Sequence, residues 1–228
     1  MTARVRITDV APRDGLQNES SIVETEDKVR LIELLARTGV DEIEATSFVS
    51  PKWIPQLGDA AQVIDALRED VFFTGGPTLS VLVPNDKGYR RALDAFEGIA
   101  APKIAVFTAA SETFSQRNTN ATIAETIDRF RAFLPDAFER GLHVRLYLSC
   151  AVACPFEGPM EPRVVRTIAD RLLSLAPHEA VNEGRVELDL GDTIGAATPD
   201  SIDRLLDAFD EPAMLARLVL HLHDTHQR

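Results

Sequence analysis

Cysteine is nearly missing from the chain: there are two in 228 residues, Cys150 and Cys154. No disulfide framework can therefore hold the fold. The pair is spaced i, i+4 in "SCAVACPFEG", and a zinc site would need further Cys or His close by, which the stretch lacks. The two are read as free structural thiols. Basic residues are also scarce. Lys and Arg total 24 against 36 Asp and Glu, for a formal net charge of −12. Gripping nucleic acid requires clustered Lys and Arg, so nucleic acid is excluded as a partner. An anionic substrate would need a local cationic pocket against the overall field. No apolar run approaches the length of a membrane span, so a membrane partner is excluded too. The opening "MTARVRITDV" enters a strand-like run directly, without the charged and apolar blocks of a leader. A cytoplasmic location is the expectation. Finally, "APRDGLQNE" follows the first strand where an open dinucleotide-binding fold would carry its glycine-rich phosphate turn.

What the chain does have is strict alternation. "VRITDV" reads as a strand and Glu24 to Arg37 as a helix, with Val29, Ile32, Leu35 and Ala36 at helical spacing and Gly39 as a stop. Then come "VDEIEATSF" (strand), "DAAQVIDALRED" (helix), "TLSVLVP" (strand), "KGYRRALDAF" (helix) and "KIAVFTAA" (strand). "NATIAETIDRFRAFLPDAFERG" is a helix capped by Asn120 or Thr122, ended by Gly141 and kinked or divided by Pro135. "HVRLYLSCAV", "EPRVVRTIADRLLSLA", "RVELDLGDT", "TPDSIDRLLDAF" and "RLVLHLHD" continue the series. Strand and helix alternating without a linker imply parallel strands with helical crossovers. The expected fold class is α/β, a (β/α)8 TIM barrel, with about seven of its eight units in this chain. One catalytic domain over 1–228 is expected. A seven-stranded barrel leaves its first and seventh strands with open edges. Either more protein follows, or the chain is truncated and is either inactive or rescued by pairing with another copy.

In such barrels the active site lies at the C-terminal ends of the strands. The ionisable residues there are Asp9, Arg13 and Asp14; Glu42 and Glu44; Cys150; Glu187, Asp189 and Asp192; and His221, His223 and Asp224. Carboxylates and imidazoles at one rim suggest a metal site. His221 and His223 are two apart on a strand and so face the same way. A carboxylate from the first strand would complete a set of two His and one acid. Ligand chemistry alone ranks Mn, Fe or Zn above Mg. A lone H-x-H is more often a pair of ordinary edge-strand histidines, and it is the acidic rim that favours a metal. A metal held by Asp14 polarises an oxygen, and the adjacent Arg13 stabilises an enolate as it forms. The plain alternative is a solvated loop ion pair. Glu44 either orients a ligand or Arg13, or is a buried hydrogen-bonded acid. Gly191 and Gly195 around Asp192 either let a substrate approach the backbone or only shape a turn. Phe48 and Trp53 are read as packing residues. Lys52, in the same loop, either meets an anionic group or is solvated. "TFSQRNTN", with Arg117, either receives a phosphate or caps the helix after it.

Taken in order, these residues resemble the 3-hydroxy-3-methylglutaryl-CoA lyases, within the metal-dependent TIM-barrel lyases and synthases. The stretches that carry the likeness are "VAPRDGLQNE", "IEATSFVSPKWIPQLGDA", "VLVPNDKG", "SCAVACPFEG", "LGDTIGAATP" and "HLHDT". "RDG" is shared with the synthases, whereas "SFVSPKWIPQLGD" points to the lyases. The resemblance implies an Mg2+- or Mn2+-dependent retro-Claisen cleavage of 3-hydroxy-3-methylglutaryl-CoA (HMG-CoA) to acetyl-CoA and acetoacetate. It implies Asp14, His221 and His223 as metal ligands and Arg13 as the residue that steadies the thioester enolate. Glu44 and Asp192 become active-site acids, and His221 a candidate to move the hydroxyl proton. Arg13, Ser47, Lys52 and Thr193 are the candidate substrate-binding residues. A small-molecule acyl-CoA is the expected partner, and a homo-oligomer, a dimer, the expected assembly. There are departures. His226 and Gln227 follow "HDT" where the lyases carry an aromatic residue and usually glycine, and Asp189 stands where animal lyases carry serine. An eighth strand, an Asn ligand and a catalytic cysteine loop have no counterpart here, and neither Cys150 nor Cys154 matches that cysteine. The competing functions are a Claisen-type synthase or aldolase and an inactive lyase-like fragment.

Overall fold

A computed structural model of the chain describes residues 4–68, 75–99 and 102–225. It divides into two compact units, Met1–Ala105 and Val106–Arg228.

The first unit holds β1 (Thr8–Asp9), a π-helical turn (Ala11–Gly15), α1 (Thr25–Ala36), β2 (Glu42–Ser47), α2 (Ala60–Arg68), β3 (Thr78–Leu82), α3 (Asp86–Ala95) and the start of β4 (Lys103–Ala109). Neighbouring strands follow chain order and are parallel, as helical crossovers require. Every residue of β2 is buried, and α2 turns Ala60, Val63, Ile64 and Leu67 inward at helical spacing. The inner face of this half-sheet is polar. Lys103 Nζ meets Glu42 Oε2 at 2.7 Å, with the two side chains 3% and 1% exposed. Removing one partner of such a pair strands a buried charge and costs about 3–5 kcal/mol. β2 also carries an irregularity. Glu44 lies opposite Ser80 and Ser47 opposite Leu82, with a register shift between Glu44 and Thr46. The extra residue puts Glu44 and Ser47, three apart, on one face and turns Thr46 to the other.

The second unit holds the rest of β4, α4 (Glu112–Thr119), α5 (Ile123–Arg131), α6 (Leu134–Glu139), β5 (His143–Ser149), a small hairpin of β6 (Ala153–Cys154) and β7 (Gly158–Pro159), α7 (Pro162–Leu173), α8 (His178–Asn182), β8 (Val186–Gly191), α9 (Pro199–Leu206), α10 (Pro212–Leu215) and β9 (Leu218–His221). Its large-sheet strands run in the order β4-β5-β8-β9. The pairs β5–β8 and β8–β9 are parallel. The inner face is layered. Arg145 lies opposite Glu187 and is bonded to it at 2.8 Å, Tyr147 lies opposite Asp189, and Gly191 opposite His221.

The alternation expected from sequence is present, with local corrections. "VRITDV" forms a strand only at Thr8–Asp9, and Val5 and Ile7 stay exposed. β-propensity makes a strand only where a neighbour pairs with it. "TFSQRNTN" is itself most of α4 rather than a segment ahead of a helix, and Asn120 is the left-handed residue that ends it. Thr122 caps α5 through a reciprocal capping box with Glu125. Pro135 divides the long helix by starting α6. The helices α8 and α10 and the hairpin are additions. Glu69 and Asp70 of the second expected helix, and His226 and Gln227, lie outside the described residues. Among the described residues no helix is long and apolar enough to cross a membrane.

Candidate active site

The first unit brings three of the expected residues together at the π-helical turn. The amides of Arg13 and Asp14 both bond the carbonyl of Val10, at 3.1 and 2.7 Å. Pro12 lies in the first turn, where a missing N–H costs nothing. This tight start holds Arg13 and Asp14 side by side. Arg13 is 6% exposed and lies between two carboxylates. Its Nε donates to Glu44 Oε1, and its Nη1 donates to Asp14 Oδ1 at 2.6 Å. Glu44 is fully buried, so its charge is balanced by Arg13 rather than by water. A guanidinium gripped this way is always charged and fixed in orientation. Gln17, not singled out by sequence, also donates to Asp14 Oδ1, at 2.9 Å, and Asn18 donates to the Asp14 carbonyl at 2.9 Å.

Ser47 shares the inner face with Glu44 because of the bulge in β2, and its hydroxyl accepts the Val49 amide at 3.3 Å. Lys52 is exposed in the loop beyond. Phe48 is buried as expected, but Trp53 is 66% exposed and is not a packing residue. Its loop is a surface turn, closed by the Trp53 amide on the Ser50 carbonyl.

The second unit brings the two histidines together. His221 ends β9, and His223 lies just past the strand, yet their ring centroids are 4.8 Å apart. The edge of Tyr147 packs against His221 at 5.9 Å. His223 Nδ1 is 2.8 Å from the Asp192 carbonyl oxygen. A carbonyl only accepts, so Nδ1 carries the proton and Nε2 keeps its lone pair. Asp192 thus acts on His223 through its backbone. Its buried carboxylate accepts the amides of Ala196 and Ala197 at 2.9 and 3.0 Å and closes the "GDTIG" turn. Gly195 in that turn has φ +63°, and a Cβ there would run into Thr225. The glycine shapes the turn. Thr193 accepts the Cys150 amide at 2.7 Å.

Other rim residues have structural roles. Glu42 and Glu187 belong to the ion pairs with Lys103 and Arg145. Asp9 accepts the Ala11 amide at 2.9 Å, and Asp224 is exposed. Arg117, offered as a phosphate ligand, lies 4.1 Å above the Phe156 ring. Both cysteines are free and buried. Burial pushes the Cys150 thiol up to about 12, helped by the nearby Cys154. Burial also works to raise Cys154, but the Ser111 hydroxyl and the amides of Phe156 and Glu157 outweigh it and bring that thiol down.

The HMGL-like family profile matches residues 4–227 of the chain. The mitochondrial hydroxymethylglutaryl-CoA lyase of Pongo abelii is 42% identical over 98% of this chain and 64% of its own length. A Pseudomonas aeruginosa protein named 3-hydroxy-3-isohexenylglutaryl-CoA/hydroxy-methylglutaryl-CoA lyase is 41% identical over 98% of this chain and 69% of its own. The chain thus spans just under two thirds of the mitochondrial relative. Among solved structures, the HMG-CoA lyase of Brucella melitensis superposes with TM-score 0.84 at 45% identity, covering 98% of this chain and 74% of that one. An HMG-CoA lyase from Acinetobacter baumannii, solved with coenzyme A and 3-methylmalate, gives TM-score 0.83 at 30% identity over 99% of this chain and 70% of that one. The fold class is accordingly α/β of the TIM-barrel type, with seven of the strands in this chain.

Proposed function

The chain belongs to the HMGL-like family, and from that premise we propose that it is the catalytic domain of a divalent-metal-dependent lyase that cleaves HMG-CoA to acetyl-CoA and acetoacetate. The observation that carries this reading is Arg13, a buried cation held between Glu44 and Asp14. Asp14 of the first unit and His221 and His223 of the second are the residues that would hold the ion. Their chemistry fits Mn2+ or Mg2+: one carboxylate and two neighbouring imidazoles, the second with its Nδ1 tied to a carbonyl. When bound, the ion supplies Lewis acidity to the substrate's hydroxyl and carbonyl oxygens.

In the cleavage the C3 hydroxyl loses its proton and the bond between C2 and C3 breaks. Its electrons pass to the thioester as an enolate, acetoacetate departs, and a proton, replacing the one lost from the hydroxyl, returns to C2 to give acetyl-CoA. Arg13 stabilises the enolate oxygen, and Glu44 keeps the guanidinium aimed without a search through rotamers. His221 takes up the hydroxyl proton in this scheme, in competition with its role as a ligand. Asp192 holds His223 in one tautomer. Ser47, Lys52 and Thr193 are assigned to substrate binding, Lys52 to an anionic part of the coenzyme. A homodimer belongs to the same proposal and rests on the resemblance, and a cytoplasmic location is proposed with it. A second substrate, 3-hydroxy-3-isohexenylglutaryl-CoA, is suggested by the double name of the Pseudomonas relative.

The test is acetoacetate release from HMG-CoA with Mn2+ or Mg2+. We expect turnover that chelation abolishes and that Arg13→Met lowers about 100- to 1,000-fold in kcat while Mn2+ still binds. Metal binding without acetoacetate would instead describe an inactive fragment. Condensation of acetyl-CoA with an oxo-acid, without cleavage, would describe a synthase.

A further inference from the structure

We propose that Gln17 is a positioning residue that sets which oxygen of Asp14 meets the metal. The inference rests on the reading of Asp14 as a ligand.

Two donors converge on one oxygen. Gln17 Nε2 lies 2.9 Å and Arg13 Nη1 2.6 Å from Asp14 Oδ1. The placement follows from the chain: the π-helical turn passes into a helical turn at Leu16–Gln17, and side chains three apart then share a face. A carboxylate rotates easily about Cβ–Cγ. Two convergent donors stop that rotation and set Oδ2 as the oxygen for the cation.

The two donors differ in kind. Arg13 is charged and also grips Glu44. In the proposed reaction its guanidinium also serves the enolate oxygen, so its donors are shared between that oxygen and Asp14. Gln17 has no part in that step and sits on the turn itself. It is also neutral. A lysine in its place would cancel the charge of Asp14 and weaken it as a ligand, whereas an amide fixes the carboxylate and leaves its charge to the cation. Ligating carboxylates held in this way by hydrogen bonds lose about 10- to 100-fold in metal affinity when the holding group is removed. Asn18 provides an internal control. Its amide bonds the Asp14 backbone carbonyl at 2.9 Å, so it supports the turn but not the carboxylate.

The experiment titrates Mn2+ into the chelator-stripped protein without substrate and reads free Mn2+ by electron paramagnetic resonance. Gln17→Leu and Gln17→Met both remove the donor, and Met keeps the unbranched stem. We expect both to weaken Mn2+ binding about 10- to 100-fold. Asn18→Ala should stay close to the parent, and melting in chelator should be similar for all. Parent-like Mn2+ affinity in both Gln17 variants overturns the proposal alone. A parent that binds no Mn2+, or an Asp14→Asn variant that binds it as the parent does, overturns the metal reading and the proposal with it.

Discussion

Thr46 carries a buried hydroxyl with no hydrogen-bond partner among the described residues, although its neighbours on β2 are well used. The cause is the bulge, which turns Thr46 away from the face that holds Glu44 and Ser47. An unpaired buried hydroxyl is unfavourable, and an apolar group of the same shape avoids the penalty. Thr46→Val should therefore raise stability by about 1 kcal/mol, or Tm by about 2–4 °C. A thermal melt checks this, and a lowered Tm would mean that the hydroxyl has a working partner. The same strand shows which residues can be read from a sequence. The contact of Glu44 with Arg13 was legible as one of the alternatives the sequence offered, whereas the burial of Arg13, which replaces a solvated ion pair, was not. That the rings of His221 and His223 lie together was legible from their spacing. That Ser47 joins Glu44 was not, because period-two alternation places residues three apart on opposite faces until a bulge intervenes. Nor was the backbone role of Asp192, which exists only once the turn has closed.

Among the elements, the large strands and long helices announce themselves by apolar period, and α4 does not. "ETFSQRNT" is polar, with only Ser115 buried. It is held at its N-terminal end. Ser111 accepts the Phe114 amide at 3.0 Å, and Glu157, from the hairpin, accepts the Thr113 amide at 3.0 Å. Capping from another segment, as by Glu157, leaves no local signal, so the sequence shows this stretch only as the lead-in to the helix after it. It does leave a pH signature. The hydrogen bonds with Thr113 hold the Glu157 carboxyl below its ordinary value of 4.5. A lowered folded value means that the anchor is fully present above the ordinary range and is lost as pH falls through the folded value. Amide protection at Thr113–Ser115 should thus drop between about pH 5 and pH 3. In Glu157→Gln it should be lower at neutral pH and nearly flat over that window. Hydrogen exchange, corrected for the intrinsic rate at each pH, decides it, and an unchanged acid-side drop in the variant would assign the effect to another carboxylate.

For the whole molecule the governing quantity is charge. The chain carries −12, and the proposed substrate is an acyl-CoA, itself a polyanion. At long range the protein field repels it, while Arg13 and Lys52 attract only at short range. Dissolved salt screens the first interaction before the second. The Debye length falls from about 30 Å at 0.01 M to about 10 Å at 0.1 M, longer in both cases than a contact ion pair. With Mn2+ held saturating, kcat/KM for HMG-CoA should therefore rise over that range, because encounter with the substrate becomes less opposed. Above it, the rise should stop as the short-range attraction is screened in turn. A fall from the lowest salt onward would mean that cations at the mouth of the site override the net charge. Lys52→Glu should lower kcat/KM most at low salt and so steepen the rise, which would place that residue on the coenzyme's approach. A rise that Lys52→Glu leaves unchanged would place the residue off that approach, leaving the net charge as the sole governor of encounter.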